Sequence, residues 1–143
     1  MEEKKSSILK GKKGLIVGIA NERSLAWGIA NCIHQQGGEL ALTYQNDALK
    51  KRIVPLATKV NSNNIYEFDI QNYEKTPSFF ENLCQDFGKL DFIVHAVAFS
   101  DKEELKGDYV DTTKNNFLNT MEISCYSFTV LIREALPLSL IHI

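Results

Sequence analysis

The sequence predicts an α/β fold, a parallel sheet doubly wound by helices into three layers, on three observations. Residues 15–30 read LIVGIANERSLAWGIA, an apolar run that breaks at Gly18, crosses a polar loop holding Ser24 and resumes with helical spacing at Leu25, Ile29 and Ile33. Short apolar runs then alternate with helical patterns along the chain, the order that builds a parallel sheet through crossover helices. Residues 92–97, FIVHAV, are apolar throughout, as expected of a strand buried on both faces of such a sheet.

The elements follow in order. The first strand closes at Gly18, and the helix after it stops at Gly37 and Gly38, where glycine accepts the conformation that ends a helix. Glu39–Tyr44, ELALTY, alternates as a second strand. Asp47 is placed to cap a helix over 48–59, whose face carries Leu49, Ile53 and Leu56; Pro55 inside it predicts a kink or an early end. A short third strand covers 65–68, Asp69 and Ile70 leave it, and a helix over 73–87 ends at Gly88. The fourth strand, 92–97, feeds a polar loop over 100–111. Thr112 or Thr113 starts a long helix through Phe117, Met121, Phe128 and Ile132 to about Leu136.

Composition excludes several classes of function. The longest apolar runs fall well short of the roughly 20 residues that span a membrane. A net charge of -2, with Lys4, Lys5, Lys10, Lys12 and Lys13 scattered among other residues, leaves no electrostatic footprint for nucleic acid. Cys32, Cys84 and Cys125 are far apart and odd in number, which suits reduced thiols in the cytoplasm. His34, His95 and His142 are isolated, so no metal site is expected. Glu2 and Glu3 interrupt the basic start, and residues 1–10 read as a flexible arm rather than a secretory signal.

In a doubly wound sheet the ligand lies outside the carboxyl ends of the strands, where the strand order reverses. Gly18, Gln45, Asp69 and residues 96–99 each close a strand and so face one crevice. At the first of these ends, Gly18 and Ala20 allow close backbone approach, and the helix start at Leu25 offers free N–H groups to an anion. A dinucleotide pyrophosphate is the usual occupant of such a turn. Ser24 fits either an anion contact or a plain helix cap. Gln45 stands where such proteins commonly carry an acid for the adenosine ribose, and its amide can donate to or accept from a hydroxyl. Asp69 also fits a simple turn cap.

The run VGIANERSLAWGIA, followed in order by LTYQND, FDI, FIVHAVAF and GDYVDTT, closely resembles the bacterial enoyl-acyl-carrier-protein reductases, a divergent branch of the short-chain dehydrogenase/reductase superfamily. The resemblance covers about residues 8–136 and implies a single, incomplete Rossmann dinucleotide-binding domain over 1–143. It implies that the loop of Gly18, Ile19, Ala20, Ser24 and Leu25 holds the pyrophosphate of NADH, with Gln45 at the ribose. No arginine adjoins Gln45 to clamp an extra phosphate, which favours NADH over NADPH. Asp69 and Ile70 resemble the family's adenine contacts. Where the wider superfamily carries Asn-Asn-Ala-Gly at the fourth strand, this chain has His95-Ala96-Val97-Ala98, as the enoyl reductase branch broadly does; the resemblance places Ala96, Val97 and Ala98 beside the nicotinamide ribose, Ala98 standing where many of these enzymes have glycine. Phe99 and Leu105 resemble residues at the edge of the acyl pocket, and equally suit apolar cover for the sheet end.

The implied reaction reduces the trans-2 double bond of an enoyl thioester carried on acyl carrier protein. It needs a tyrosine and a lysine, spaced Tyr-x6-Lys, to stabilise the enolate oxygen. That spacing occurs here only at Tyr44 and Lys51, at the adenosine end, where it reads as coincidence. The pair is expected beyond the present C-terminus, so no catalytic residue is assigned. The last residues, PLSLIHI, depart from the family pattern as a truncation or frameshift would, although 138–143 could still mimic a fifth strand. The resemblance further implies a symmetric homotetramer in which Met121, Phe128 and Leu131 are covered by a second copy. A non-catalytic dinucleotide-binding module, or a keto or alcohol oxidoreductase of the same superfamily, are the alternatives.

Overall fold

Alternating strand faces divide the core in two, and that division sets the layers. The computed structural model describes residues 7–138. Four strands, β1 (Lys13–Val17), β2 (Glu39–Tyr44), β3 (Asn64–Glu67) and β4 (Phe92–His95), form one parallel sheet in the order β3-β2-β1-β4. Leu15 and Val17 point to one side, with Phe79, Phe80 and Leu83 of α3 (Thr76–Phe87) and Leu131 of α5 (Ser127–Ala135). Ile16, Leu40 and Leu42 point to the other, with Ala26, Ala30 and Ile33 of α1 (Leu25–Gln35) and Ile53, Leu56 and Ala57 of α2 (Asp47–Lys59). The strand period of two therefore gives each helical layer its own core.

Register follows from this burial. Leu15 lies opposite Ala41 on β2 and Ile93 on β4, and Ala41 opposite Asn64 on β3. The chain winds from β1 outward through β2 to β3, then crosses back to place β4 on the far side of β1. The reversal between β1 and β4 is the switch point, and the strand ends beside it are the ones the sequence singled out.

Several expectations are corrected. Residues 7–10 belong to the fold rather than to a free arm: Leu9 packs against the second core, and its N–H donates to the Gln36 carbonyl at 3.1 Å. Leu25 and Ile29 face outward, 84% and 40% exposed, because the small residues Ala26 and Ala30 let α1 lie close on the sheet. Asn46, not Asp47, caps α2, its Oδ1 accepting from the Leu49 N–H at 3.0 Å. Pro55 does not end that helix, since Ile53, Leu56 and Ala57 around it stay packed and the carbonyl it forgoes belongs to exposed Lys51. Helix α3 starts at Thr76, three residues later than expected, with Pro77 in its first turn. Strand β4 ends at His95 rather than residue 97 and is only partly buried along its length, being an edge of the described sheet.

The long final helix is real but not uniform. Thr113 caps α4 (Lys114–Met121), its Oγ1 accepting from the Asn116 N–H at 3.2 Å. A π-helical turn over Glu122–Tyr126 then joins α4 to α5. Leu131, expected to meet a second copy, is fully buried within the chain, whereas Met121 and Phe128 remain 44% and 45% exposed. Leu138 closes a final 3-10 turn, and its carbonyl accepts from the Leu90 N–H at 3.2 Å. The rest of the segment expected to mimic a fifth strand, and the start of the N-terminal arm, lie outside the described residues.

Candidate functional site

A cavity of about 290 Å³ opens at the carboxyl ends of all four strands. From β1 it is lined by Gly18, Ile19 and Ala20. Beyond β2 comes Gln45, with Thr43 and Tyr44 before it. Asp69 and Ile70 line it after β3, and Ala96, Val97, Ala98 and Phe99 after β4. Ten of the residues singled out from sequence thus meet in one place.

Gly18 makes the meeting possible. Its φ is +113°, and a Cβ there would stand 2.1 Å from the carbonyl oxygen of Ala96. Only glycine lets the β1 loop pass this close to the end of β4, where the Ala96 N–H donates to the Val17 carbonyl at 2.9 Å. The far end is set by a different contact. Gln45 Nε2 donates to Asp69 Oδ1 at 3.3 Å, and the same oxygen accepts from the Gln71 N–H at 3.1 Å. Asp69 is therefore both a turn cap and an anionic wall of the cavity. An amide and a carboxylate side by side suit hydroxyl and amino donors rather than a second phosphate. With the glycine cradle, these groups fit a dinucleotide lying across the strand ends.

Three residues named from sequence lie elsewhere. Ser24 precedes α1 but its hydroxyl does not cap it; Oγ accepts from the N–H groups of Ala20 and Asn21, each at 3.2 Å, and donates to the Asn21 carbonyl. The hydroxyl thus occupies the point where two loop amides converge. Leu25 flanks a separate shallow groove with Ile29 and Cys32, outside the cavity. Leu105 sits in a 3-10 turn, 71% exposed and away from the lining.

The structure also adds residues that sequence reasoning missed. Thr43 is buried, its Oγ1 donating to the Ile16 carbonyl at 3.3 Å, and Tyr44 lies under the Lys50 ammonium at 5.4 Å. Both could have been found from their place just before Gln45. Ile123 could not, because the π turn that carries it into the cavity wall leaves no periodic signal. The Tyr44–Lys51 spacing brings no paired donors together: Lys50, not Lys51, stands over the tyrosine ring. Among the described residues no cluster of histidine, cysteine, aspartate or glutamate could hold a metal, and no helix is long and apolar enough to cross a membrane.

The sequence model of the enoyl-(acyl carrier protein) reductase family matches residues 18–142. The curated enoyl-acyl-carrier-protein reductase (NADH) 2 of Rhizobium meliloti is 49% identical over 133 residues, covering 93% of this chain and 50% of the relative. The Rickettsia bellii enzyme is 45% identical over 130 residues, covering 91% and 50%. Among solved structures, the Anaplasma phagocytophilum reductase in complex with NAD superposes with a TM-score of 0.89 at 50% identity, covering 94% of this chain and 52% of the other. The Bacillus cereus reductase with NADP+ gives 0.88 at 34% identity, covering 93% and 52%. The chain spans about half the length of the curated relatives it matches.

Proposed function

The chain belongs to the enoyl-acyl-carrier-protein reductase family, and from that membership we propose that it supplies the dinucleotide-binding part of an NADH-dependent enoyl-acyl-carrier-protein reductase. The observation that carries the reading is the single cavity into which all four strand ends deliver their closing residues. In this reading NADH, when bound, gives a hydride to the carbon β to the thioester carbonyl while the α carbon takes a proton, reducing the trans-2 double bond. The chain's own residues bind and orient. Gly18, Ile19 and Ala20 pass the backbone beside the pyrophosphate, with Ser24 and Leu25 at the helix start behind them. Gln45 meets the adenosine ribose, Asp69 accepts from the adenine amino group, and Ile70 covers the ring. Ala96, Val97 and Ala98 line the nicotinamide ribose, and Phe99 borders the acyl chain. Leu105 reaches that chain only if its exposed turn folds inward.

Gln45 is the basis for choosing NADH. One solved neighbour carries NAD and another NADP+ on nearly the same backbone, so the fold does not decide between them; strand-end side chains must. Here Gln45 is bonded to the Asp69 carboxylate, an environment that repels an added phosphate. The exposed apolar side chains Phe117, Met121 and Phe128 along α4 and α5 favour a homo-oligomer. The free thiols of Cys32, Cys84 and Cys125 suit a reducing cytoplasm.

The test is the fall in NADH absorbance with crotonyl thioester, using the longest gene product that contains this chain. Turnover with NADH, and little with NADPH, is the expected result; turnover of a keto substrate instead would overturn the assignment.

A further inference from the structure

The final helix leaves α geometry where it meets the cavity, and one chain of hydrogen bonds coincides with the change. His95 ends β4 with its Nε2 at 2.8 Å from Ser127 Oγ, and that hydroxyl donates to the Ile123 carbonyl at 2.6 Å. A serine hydroxyl has one proton. With it committed to Ile123, the imidazole Nε2 carries the proton donated to Ser127, which assigns the tautomer. Burial, partly offset by its own backbone, holds His95 below the usual histidine range, in keeping with a neutral ring. Ser127 is 1% exposed, and the Phe128 ring packs edge-on to the imidazole at 5.5 Å.

The Ile123 carbonyl belongs to the π turn, the kind of irregularity that often marks a functional site. That turn makes three contacts outside its own helix, one of them on the β3 side, where the Tyr126 ring packs edge-on to Tyr73 at 5.9 Å. Ile123 enters the cavity wall, and Ser124 Oγ brackets the Phe99 backbone, accepting from its N–H at 3.0 Å and donating to its carbonyl at 3.3 Å. The Ser124 contact lies on the β4 side, whereas Ile123 belongs to the core cluster that also holds Phe68 and Ile70. The sheet order puts β4 two strands from β2 and three from β3, about 10–14 Å at the usual strand spacing, so the Ser124 bonds to Phe99 lie away from Gln45 and Asp69.

We propose that His95 and Ser127 are positioning residues, whose bonded chain to the Ile123 carbonyl holds the widened helical turn and so sets the β4 side of the cavity for the nicotinamide half of a dinucleotide. This rests on the dinucleotide reading above. Calorimetric titration of the 143-residue chain with ADP and with NADH separates the two ideas, because ADP samples only the adenosine side. Ser127→Ala and His95→Leu should leave the ADP affinity within about twofold and weaken NADH by about tenfold, the loss expected for one hydrogen bond. His95→Gln, whose amide keeps a donor N–H at similar reach, should stay within about threefold for both ligands.

Parallel weakening of both ligands with a lower melting temperature would mean a merely structural pair and overturn the proposal. So would unchanged NADH binding, or wild-type binding of NADH no tighter than ADP. Wild-type binding of neither ligand would overturn the dinucleotide reading itself, and this inference with it. Amide exchange gives a ligand-free check: in Ser127→Ala or His95→Leu the Phe99 N–H should exchange faster while the β1 amides keep their protection. Equal protection at Phe99 in all variants would count against the proposal.

Discussion

Replacing Gly18 by alanine should damage both the fold and the site, by an amount that can be worked from the backbone. At φ +113° a side-chain-bearing residue is strained, which costs about 1–3 kcal/mol. The added Cβ would also lie 2.1 Å from the Ala96 carbonyl oxygen, against an ordinary carbon–oxygen contact of about 3.3 Å. The ends of β1 and β4 must therefore part by about 1 Å, straining the Ala96 N–H to Val17 carbonyl bond, worth about 1 kcal/mol. The sum, about 2–4 kcal/mol, is a large part of the stability of a domain this size. Urea unfolding followed by circular dichroism measures it, with Gly28→Ala as the control. Nothing stands within 4 Å of a Cβ at Gly28 in the middle of α1, so that change should stabilise by about 0.5–1 kcal/mol. The reasoning fails if Gly18→Ala unfolds within about 0.5 kcal/mol of wild type, or if the two glycines respond alike.

Other outcomes can be checked with equal directness. Gln45→Arg should raise kcat/KM for NADPH relative to NADH in steady-state assays of the complete enzyme, since the guanidinium adds the bidentate phosphate donor this strand end lacks; an unchanged ratio would remove Gln45 from cofactor selection. Asp91, held below the usual carboxylate range by Lys12 at 2.8 Å and by the Lys13 N–H, binds its proton less readily folded than unfolded. Its contribution is therefore present above pH of about 4 and lost as pH falls through the folded value. Asp91→Asn should cost about 1 kcal/mol at pH 7 and progressively less below pH 4 in urea midpoints. These 143 residues on their own should show no NADH oxidation with crotonyl thioester, because their one Tyr-x6-Lys spacing, Tyr44 and Lys51, brings no paired donors together and an enolate donor is worth about two to three powers of ten; clear turnover would point to Tyr44 and Lys51 as the first pair to mutate. Met121→Lys with Phe128→Lys should lower the sedimentation coefficient of the complete protein to that of a monomer, and a monomeric wild type would refute the homo-oligomer.

What was legible in the sequence was what local chemistry decides. Strand β2 spans the residues its alternation predicts, Glu39–Tyr44. The cavity residues were readable because the fold class alone sends strand ends to one edge of the sheet. Helix starts were less so, because a side-chain cap is a competition between neighbours: Asn46 won over Asp47. Burial on α1 was misread since apolar size favoured Leu25 and Ile29, whereas close packing on a sheet favours Ala26 and Ala30. The π turn escaped altogether. The contact that accompanies it joins His95 to Ser127, 32 residues apart, and no window of sequence contains both with their geometry.

Ser24 joins the two kinds of information. Its position before α1 was readable, its hydrogen bonds were not. With Oγ accepting from Ala20 and Asn21, two of the loop's amides are paired within the loop. A phosphate oxygen arriving there replaces a neutral hydroxyl acceptor with a charged one, and hydrogen bonds to charged groups exceed neutral ones by roughly 1–1.5 kcal/mol. The net gain is that difference rather than the full strength of the new bonds. An anion therefore gains little at these two amides, and any larger gain must come from the N–H groups at the start of α1.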